Sequence, residues 1–441
     1  MLKIYTASTA LPEKEYVFKV VFGEMLKIPY QVIPIDTEVH FRLVLPNGHE
    51  LFIADQFEIP DQTAVIPEPN NIPGECENPF QKGETIIGIF GSPEFSIESQ
   101  SITCGLDLFA SIFFMLSRWE ERVNSARDMH DRFPAAESLA YKAGFLQRPV
   151  VNEWVDLIWN MLVKLGWNGT RPTRQYRLLL SCDVDHPKQW WQFFDRFKSL
   201  GGALIIRRSI GEALYLIKNQ SFTRKDPYDV FDEWQALFEQ NRLIVQFNFM
   251  GKRPMESDCW YPLHHPYVLN LIRNLSEQGH EIGFHPGYES YNNPALFLEE
   301  LNSLQSVSPK PVEAGRQHYL RFQIPETWQT WDTANLKRDS TLGYPEEPGF
   351  RCGICHDFPV YDLENRKILA LREQPLIAMD VTLAQYKKYS PEEGAACLHA
   401  LYLEVKKHRG DFTLLWHNSS WNSYYWEPWK RVFTDFMAKK G

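Results

Sequence analysis

Apolar residues recur along this chain in two rhythms, and the change between them divides it. Up to about residue 170, short apolar runs come first: Leu2–Thr6, Tyr30–Ile35, Phe41–Leu45 and Thr85–Phe90 read as strands, with a loop rich in Pro, Asn and Glu over Pro67–Gln81. Two periodic stretches follow. Leu108, Phe109, Ile112, Phe113, Leu116 and Trp119 share one face of a helix over Asp107–Arg122, and Trp154, Val155, Ile158, Trp159, Leu162 and Leu165 share one over Val151–Leu165. The turn-rich segment Gly166–Thr173 then breaks the pattern. Beyond it, strand candidates alternate with helical stretches: Tyr176–Cys182, Leu243–Met250, Glu281–His285, Pro311–Gln317, Gly349–Cys355, Leu376–Leu383 and Phe412–Trp416. An insertion of about fifty residues before the second of these, including Trp190, Trp191, Phe193 and Phe194, predicts extra helices near the barrel mouth. The expected fold class is α/β: an α+β domain over 1–170, then a distorted (β/α) barrel of about seven strands over 171–441.

Bulk properties narrow the partners. A chain of 441 residues exceeds one ordinary core, which supports two domains. The net charge of −10 and the lack of a basic stripe exclude nucleic acid and argue against simple attraction to anionic lipid. No window approaches ~18 uninterrupted apolar residues, so no membrane span is expected. Met1–Thr6 reads as a strand rather than a signal peptide, which predicts a cytoplasmic protein. Seven cysteines at irregular spacing are not a disulfide framework. Cys352-Gly353-Ile354-Cys355-His356 matches a haem-attachment pattern, but that chemistry needs export, and buried structural thiols are the favoured reading. Cys76, Cys104, Cys182, Cys259 and Cys397 supply no second pair for structural zinc.

Candidate chemistry gathers at strand ends. The first long apolar run closes on Asp183-Val184-Asp185-His186, with alternation placing the two aspartates on one side. Carboxylates so placed repel unless a cation or proton lies between them. The other polar ends are Glu281–Glu289 with His285, Gly315–His318 with Arg316, and Trp416-His417-Asn418. A single strand-end histidine is commonly structural, whereas four such ends in one βα array meet at one mouth. Asp380 can orient His417, and Asp339 can cap or line the site. His40, His49 and His130 are isolated and read as structural or solvated. Trp416, Trp421, Tyr424, Tyr425, Trp426 and Trp429 either stack on sugar rings or pack the barrel edge.

These motifs resemble the polysaccharide deacetylase (NodB-like) superfamily: an Asp pair after a strand, a Gly-x-His strand end at Gly283–His285, an Arg motif at Arg316 and a terminal strand closing on His417. Segments Phe113–Glu121, Arg316–Phe322 and Asp339–Tyr344 resemble a subgroup that carries an uncharacterised N-terminal domain. The resemblance implies one divalent metal, zinc first, with iron, manganese or cobalt as alternatives. It implies Asp185 and His285 as metal ligands, Asp183 as general base, His417 as general acid and Arg316 as the group that orients Asp183. Where the family has a second histidine, four residues after the first, this chain has Glu289; it, His318 and His186 are the candidate third ligands. The implied function is removal of an acetyl group from an amino sugar of a glycan or its precursor. Hydrolysis of a small non-sugar amide or imide is one alternative, and a catalytically silent glycan-binding protein, motivated by Glu289, is another. An open groove lined by Trp416 and Trp421 favours glycans, and a closed pocket favours a small ring. Oligomeric state is left open.

Overall fold

A computed structural model describes residues 1–57, 67–192, 194–219, 226–252 and 261–438; Phe193 and Cys259 lie outside the described residues. The first eight strands are β1 (Leu2–Thr6), β2 (Tyr30–Pro34), β3 (His40–Val44), β4 (Glu50–Ala54), β5 (Gly74–Glu77), β6 (Thr85–Gly88), β7 (Gly91–Ile97) and β8 (Ser101–Leu106). Six of them form a mixed sheet in the order β2-β1-β3-β4-β8-β7, and β5 and β6 pair as a separate hairpin. The β5 strand lies inside the segment expected to be a loop. The helix over Leu11–Phe18, continuing in wider turns over Lys19–Met25, carried no sequence signal strong enough to predict it.

The helix expected over Asp107–Arg122 is two helices, Leu108–Ser117 and Trp119–Val123, broken at Arg118 with φ 55°. Ionic bonding explains the break. The fully buried Arg118 guanidinium donates to the carbonyls of Met115 and Arg351 and to the carboxylates of Glu120 and Glu121. Glu121 in turn receives both arms of buried Arg351, at 3.0 and 2.7 Å. This charge network ties the helix pair to a segment more than two hundred residues away, and the sequence period alone cannot show it.

The second sheet has nine strands: β9 (Arg177–Val184), β10 (Val245–Phe249), β11 (Glu281–Phe284), β12 (Ala314–Gly315), β13 (Arg338–Asp339), β14 (Phe358–Asp362), β15 (Lys367–Glu373), β16 (Ala378–Met379) and β17 (Asp411–Leu415). Their order is β14-β15-β13-β12-β11-β10-β9-β17-β16, parallel throughout except for the antiparallel pair β14–β15. Where about seven barrel strands were expected there are nine, and strand pairing does not join the two ends of the ladder among the described residues. The mixed α/β class holds. Helices such as Pro266–Glu277, Pro294–Val307 and Pro391–Lys407 form the crossovers.

Gly349–Cys355, expected as a strand, is a chain of turns, and β14 follows it. Gly349 and Gly353 take φ of 147° and 63°, which a strand does not permit, and the turn at Leu146 and the helix after it bond this backbone instead. Phe350 N donates to Leu146 O, Val151 N to Gly353 O, and Cys355 N to Asn152 Oδ1. The insertion after β9 contains helices over Asp195–Gly201 and Ile210–Asn219, with wider turns over Gly202–Ile206 between them. Among the described residues no helix is long and apolar enough to cross a membrane.

Candidate active site

All eight parallel strands of the large sheet point their carboxyl ends the same way, so residues that follow them gather at one edge. Asp183 closes β9 and is buried. Its Oδ1 accepts from Arg316 Nη1 at 3.0 Å and from Asn248 Nδ2 at 2.6 Å. Burial pushes this carboxyl up, but the Arg316 guanidinium together with His285 and His417 outweighs it and holds Asp183 below the usual carboxylate range. Arg316 is itself fixed by Ser181 Oγ, Ser340 O and Ser340 Oγ at 2.8 to 2.9 Å. Gly283 on β11 is required by the same arrangement: a Cβ there would lie 2.0 Å from Asn248 Oδ1 and displace the amide that holds Asp183.

His285 follows β11. Its Nδ1 lies 2.6 Å from the Arg316 carbonyl, which can only accept, so Nδ1 carries the proton and the Nε2 lone pair is left toward the cleft. That Nε2 is 3.2 Å from Asp185 Oδ1, and His318 Nε2 is 3.8 Å from the same oxygen. The ligand atoms of Asp185, His285 and His318 all lie within 4.8 Å of one another. Asp185 Oδ1 is buried without a hydrogen-bond partner. A carboxylate oxygen facing an imidazole lone pair at this distance is repulsive unless something positive lies between them. The donor set, one oxygen and two nitrogens, therefore fits a divalent cation of the zinc, iron or manganese type. Without a cation the same gap attracts a proton: burial opposes charge on His285, but Asp183 and Asp185 raise its pKa nonetheless.

On the other flank, His417 follows β17. Its Nδ1 is 2.8 Å from Asp380 Oδ1, its backbone N donates to Asp380 Oδ2, and its Nε2 is 3.8 Å from Asp185 Oδ2. Burial works against the imidazolium, but Asp380, with Asp185 and Asp183 behind it, outweighs burial and lifts His417 to about 9. The structure thus brings Asp183, Asp185, His285, Arg316, His318 and His417 to one cleft of about 390 Å³.

Two candidate ligands stand elsewhere. Glu289 is 46% exposed and lies 3.8 Å from Arg321 Nη1. Residues four apart face each other on a helix, but 285–290 is a loop and turn, so the spacing loses its meaning. The His186 ring packs near Tyr228, and its carbonyl accepts from Asn418 Nδ2. Trp416 and Trp421 do not line the cleft: both are buried and pack on Phe433, at 4.9 and 5.4 Å between ring centroids. Trp426 and Trp429 are buried as well, while Tyr424 and Tyr425 are about half exposed. Glu281 begins β11, away from the cleft end, and pairs with Arg338.

Several contributors gave no sequence signal. Tyr319 and Leu320, directly after His318, both take left-handed backbone, at φ 58° and 56°. Residues 128–132 hold this turn. Arg132 Nη1 donates to Tyr319 O, the His130 ring lies 4.9 Å from the Tyr319 ring, and Arg321 Nε donates to His130 O. Arg132 also lines the cleft. Behind the site, Asp339 and Glu373 are register partners on β13 and β15 and are fully buried. Asp339 caps Thr341 through Oδ1, while its Oδ2 has no partner. Burial raises both carboxyls, Asp339 to about 7, and the Asp339 charge raises Glu373 further.

Comparison with known proteins gives three findings. The model of a family of unknown function (DUF7033) matches residues 2–166. No curated protein matches the chain. Among solved structures, a protein from Mycobacterium smegmatis described as a polysaccharide deacetylase is similar at 14% identity and TM-score 0.40, over 62% of this chain and 86% of that one. A family 4 carbohydrate esterase from Streptomyces lividans is similar at 10% identity and TM-score 0.30, over 61% and 91%. A CE4 family pseudoenzyme from Bacillus anthracis is similar at 10% identity and TM-score 0.30, over 60% and 62%. Likenesses this distant carry no argument about chemistry, which rests on the site itself.

Proposed function

We propose that this protein is a metal-dependent hydrolase that removes an acetyl group from the nitrogen of an amino sugar, with a barrel-like domain over 171–441 supplying the site. The observation that carries this reading is the convergence of Asp185, His285 and His318 between a carboxylate, Asp183, and an imidazole, His417. Asp185, His285 and His318 would hold the metal. A divalent cation there supplies Lewis acidity and makes a water acidic enough to attack near neutral pH. Asp183, kept ionised by Arg316, accepts the proton that this water loses as its oxygen adds to the acyl carbon. His417, kept protonated by Asp380, gives a proton to the nitrogen as the C–N bond breaks. The products are acetate and a free amine.

The burial of Trp416 and Trp421 favours a second reading, hydrolysis of a small amide or imide, because the platform expected for a long glycan is absent from these positions. Elemental analysis of untagged protein tests the common core of both readings. About one equivalent of metal is expected, lost in Asp185→Ala and His285→Ala. No metal in the wild type, even after zinc, iron or manganese is supplied, rejects both. Acetyl release from N-acetylated amino sugars, set against ring opening of cyclic ureides, then separates them.

A further inference from the structure

The insertion between β9 and β10 breaks the ordinary polarity of a protein surface. Leu204, Ile205, Ile206, Ile210, Leu214 and Ile217 are each between 50% and 79% exposed, and they supply six of the 21 exposed large hydrophobic side chains among the described residues. Ile210, Leu214 and Ile217 fall at i, i+4 and i+7 and share one face of the helix Ile210–Asn219. Ala213, at the edge of this same face, is buried, while the three larger side chains beside it stay in solvent. At 71%, 61% and 58% exposed, Ile210, Leu214 and Ile217 do not face the protein core. The insertion's charge is also reversed relative to the molecule. Residues 194–218 hold five Lys or Arg against two acids, in a chain whose net charge is −10. Arg207, Arg208 and Lys218 are exposed beside the aliphatic residues.

We infer that this insertion is a docking surface for a membrane that carries anionic phospholipid headgroups. Aliphatic side chains flanked by cations match the two layers of such a surface, acyl chains below and phosphates above. The acidic remainder of the protein is repelled by the same phosphates, so the charge distribution admits one orientation. A second copy of this chain is a poor occupant, because a two-fold contact would set cationic patch against cationic patch. The position has a consequence for the site. The insertion follows the cleft end of β9, and Tyr215 Oη donates to Glu427 Oε2 at the start of the helix Glu427–Ala438, ten residues after His417. Docking thus holds the segment that follows the cleft end of β9 against the bilayer. This inference does not rest on the proposed hydrolysis, because vesicle binding is read without activity.

The test is co-sedimentation of the full-length protein with vesicles of phosphatidylcholine alone and of phosphatidylcholine mixed with phosphatidylglycerol. Partitioning onto the mixed vesicles is expected to exceed that onto the neutral ones by about a hundredfold, from three net charges near the surface. Added salt is expected to weaken it. Ile205→Asp/Ile206→Asp is expected to lower binding to mixed vesicles by at least about tenfold, with unchanged melting and circular dichroism because both side chains are exposed. Arg207→Ser/Arg208→Ser is expected to reduce binding to the mixed vesicles alone. Wild-type protein that stays in the supernatant with both vesicles overturns the inference, as does unaltered binding by the Asp variant. A concentration-dependent dimer in light scattering that the Asp variant abolishes also overturns it, making the face an interface between copies.

Discussion

At the cleft the chain buries charge, and in the insertion it exposes hydrocarbon. Asp183, His285 and Arg316 are each at most 2% exposed, whereas Ile205 and Ile206 are 77% and 79% exposed. Both regions run against the general partition of side chains, and both carry a free-energy cost. They differ in how the cost is met. In the cleft most polar atoms have partners: Arg316 engages Ser181, Asp183 and Ser340, and His417 engages Asp380. Asp185 Oδ1, which faces two imidazoles, has no hydrogen-bond partner, and neither does the side-chain amide of Gln317. In the insertion the stripe has no internal compensation, so its partner must come from outside. A carboxylate oxygen converging with two imidazole nitrogens points to an ion, and a whole unsatisfied face points to a surface.

The strongest way to break this comparison acts on the third metal donor. His318→Ala is expected to lose bound metal and all hydrolysis, while Glu289→Ala retains both, as read by elemental analysis and turnover. Metal lost from the Glu289 variant and kept by the His318 variant would sink the assignment.

Next in size is the buried charge between the helix break and the turns after Gly349. Glu121 receives Arg118 and Arg351, and removing it leaves the buried Arg351 guanidinium without its carboxylate and Arg118 with Glu120 alone. Glu121→Ala is expected to lower unfolding stability by about 3–5 kcal/mol, measured by denaturant midpoint. A loss below about 1 kcal/mol would show that the network is not what holds these segments together.

Asp380→Asn is expected to lower kcat by about a hundredfold. Its signature is the pH profile. Asp380 raises the pKa of His417, so its neutralisation moves the alkaline limb of kcat to lower pH. A uniform loss of rate with no movement of the limb would leave Asp380 a purely structural role.

How much of this was legible in the sequence depended on the range of the contacts involved. Asp183 and Asp185 follow an apolar run, and the strand's own period places them, so local reading sufficed. The third donor was open among Glu289, His318 and His186, because the spacing from His285 to Glu289 has meaning only if the turn is helical, and it is not. The Trp416 and Trp421 rings lie against Phe433, from the last helix, a tertiary fact that no local pattern contains. Arg132 reaches Tyr319 across 187 positions, and no motif marked it. The exposed stripe was written in the sequence as helical period, but net charge averaged over the whole chain concealed its local sign.

The Asp339–Glu373 pair sharpens the cleft side through pH. Burial raises both carboxyls, so each is held protonated in the folded protein above the pH at which it ionises when unfolded. Stability from this source is complete below about pH 4 and is lost as pH rises through about 7 for Asp339. Asp339→Asn/Glu373→Gln removes the ionisation. Relative to wild type, the variant is therefore expected to be more stable at about pH 8 than at about pH 5 in urea unfolding. An equal difference at both values would show that the pair does not hold an extra proton.

The smallest expected effect is the one that separates the two regions most directly. Ile206→Ser on the exposed stripe removes no packed contact from the folded core, so stability is expected to change by less than about 0.5 kcal/mol. The same replacement at Ile282, 4% exposed on the strand before His285, is expected to cost about 3 kcal/mol or more from lost burial and a stranded hydroxyl. Thermal melts of the two variants compare one chemical change in opposite settings. If Ile206→Ser destabilises as Ile282→Ser does, the stripe is packed against the protein in solution, and its exposure, with the docking surface built on it, falls.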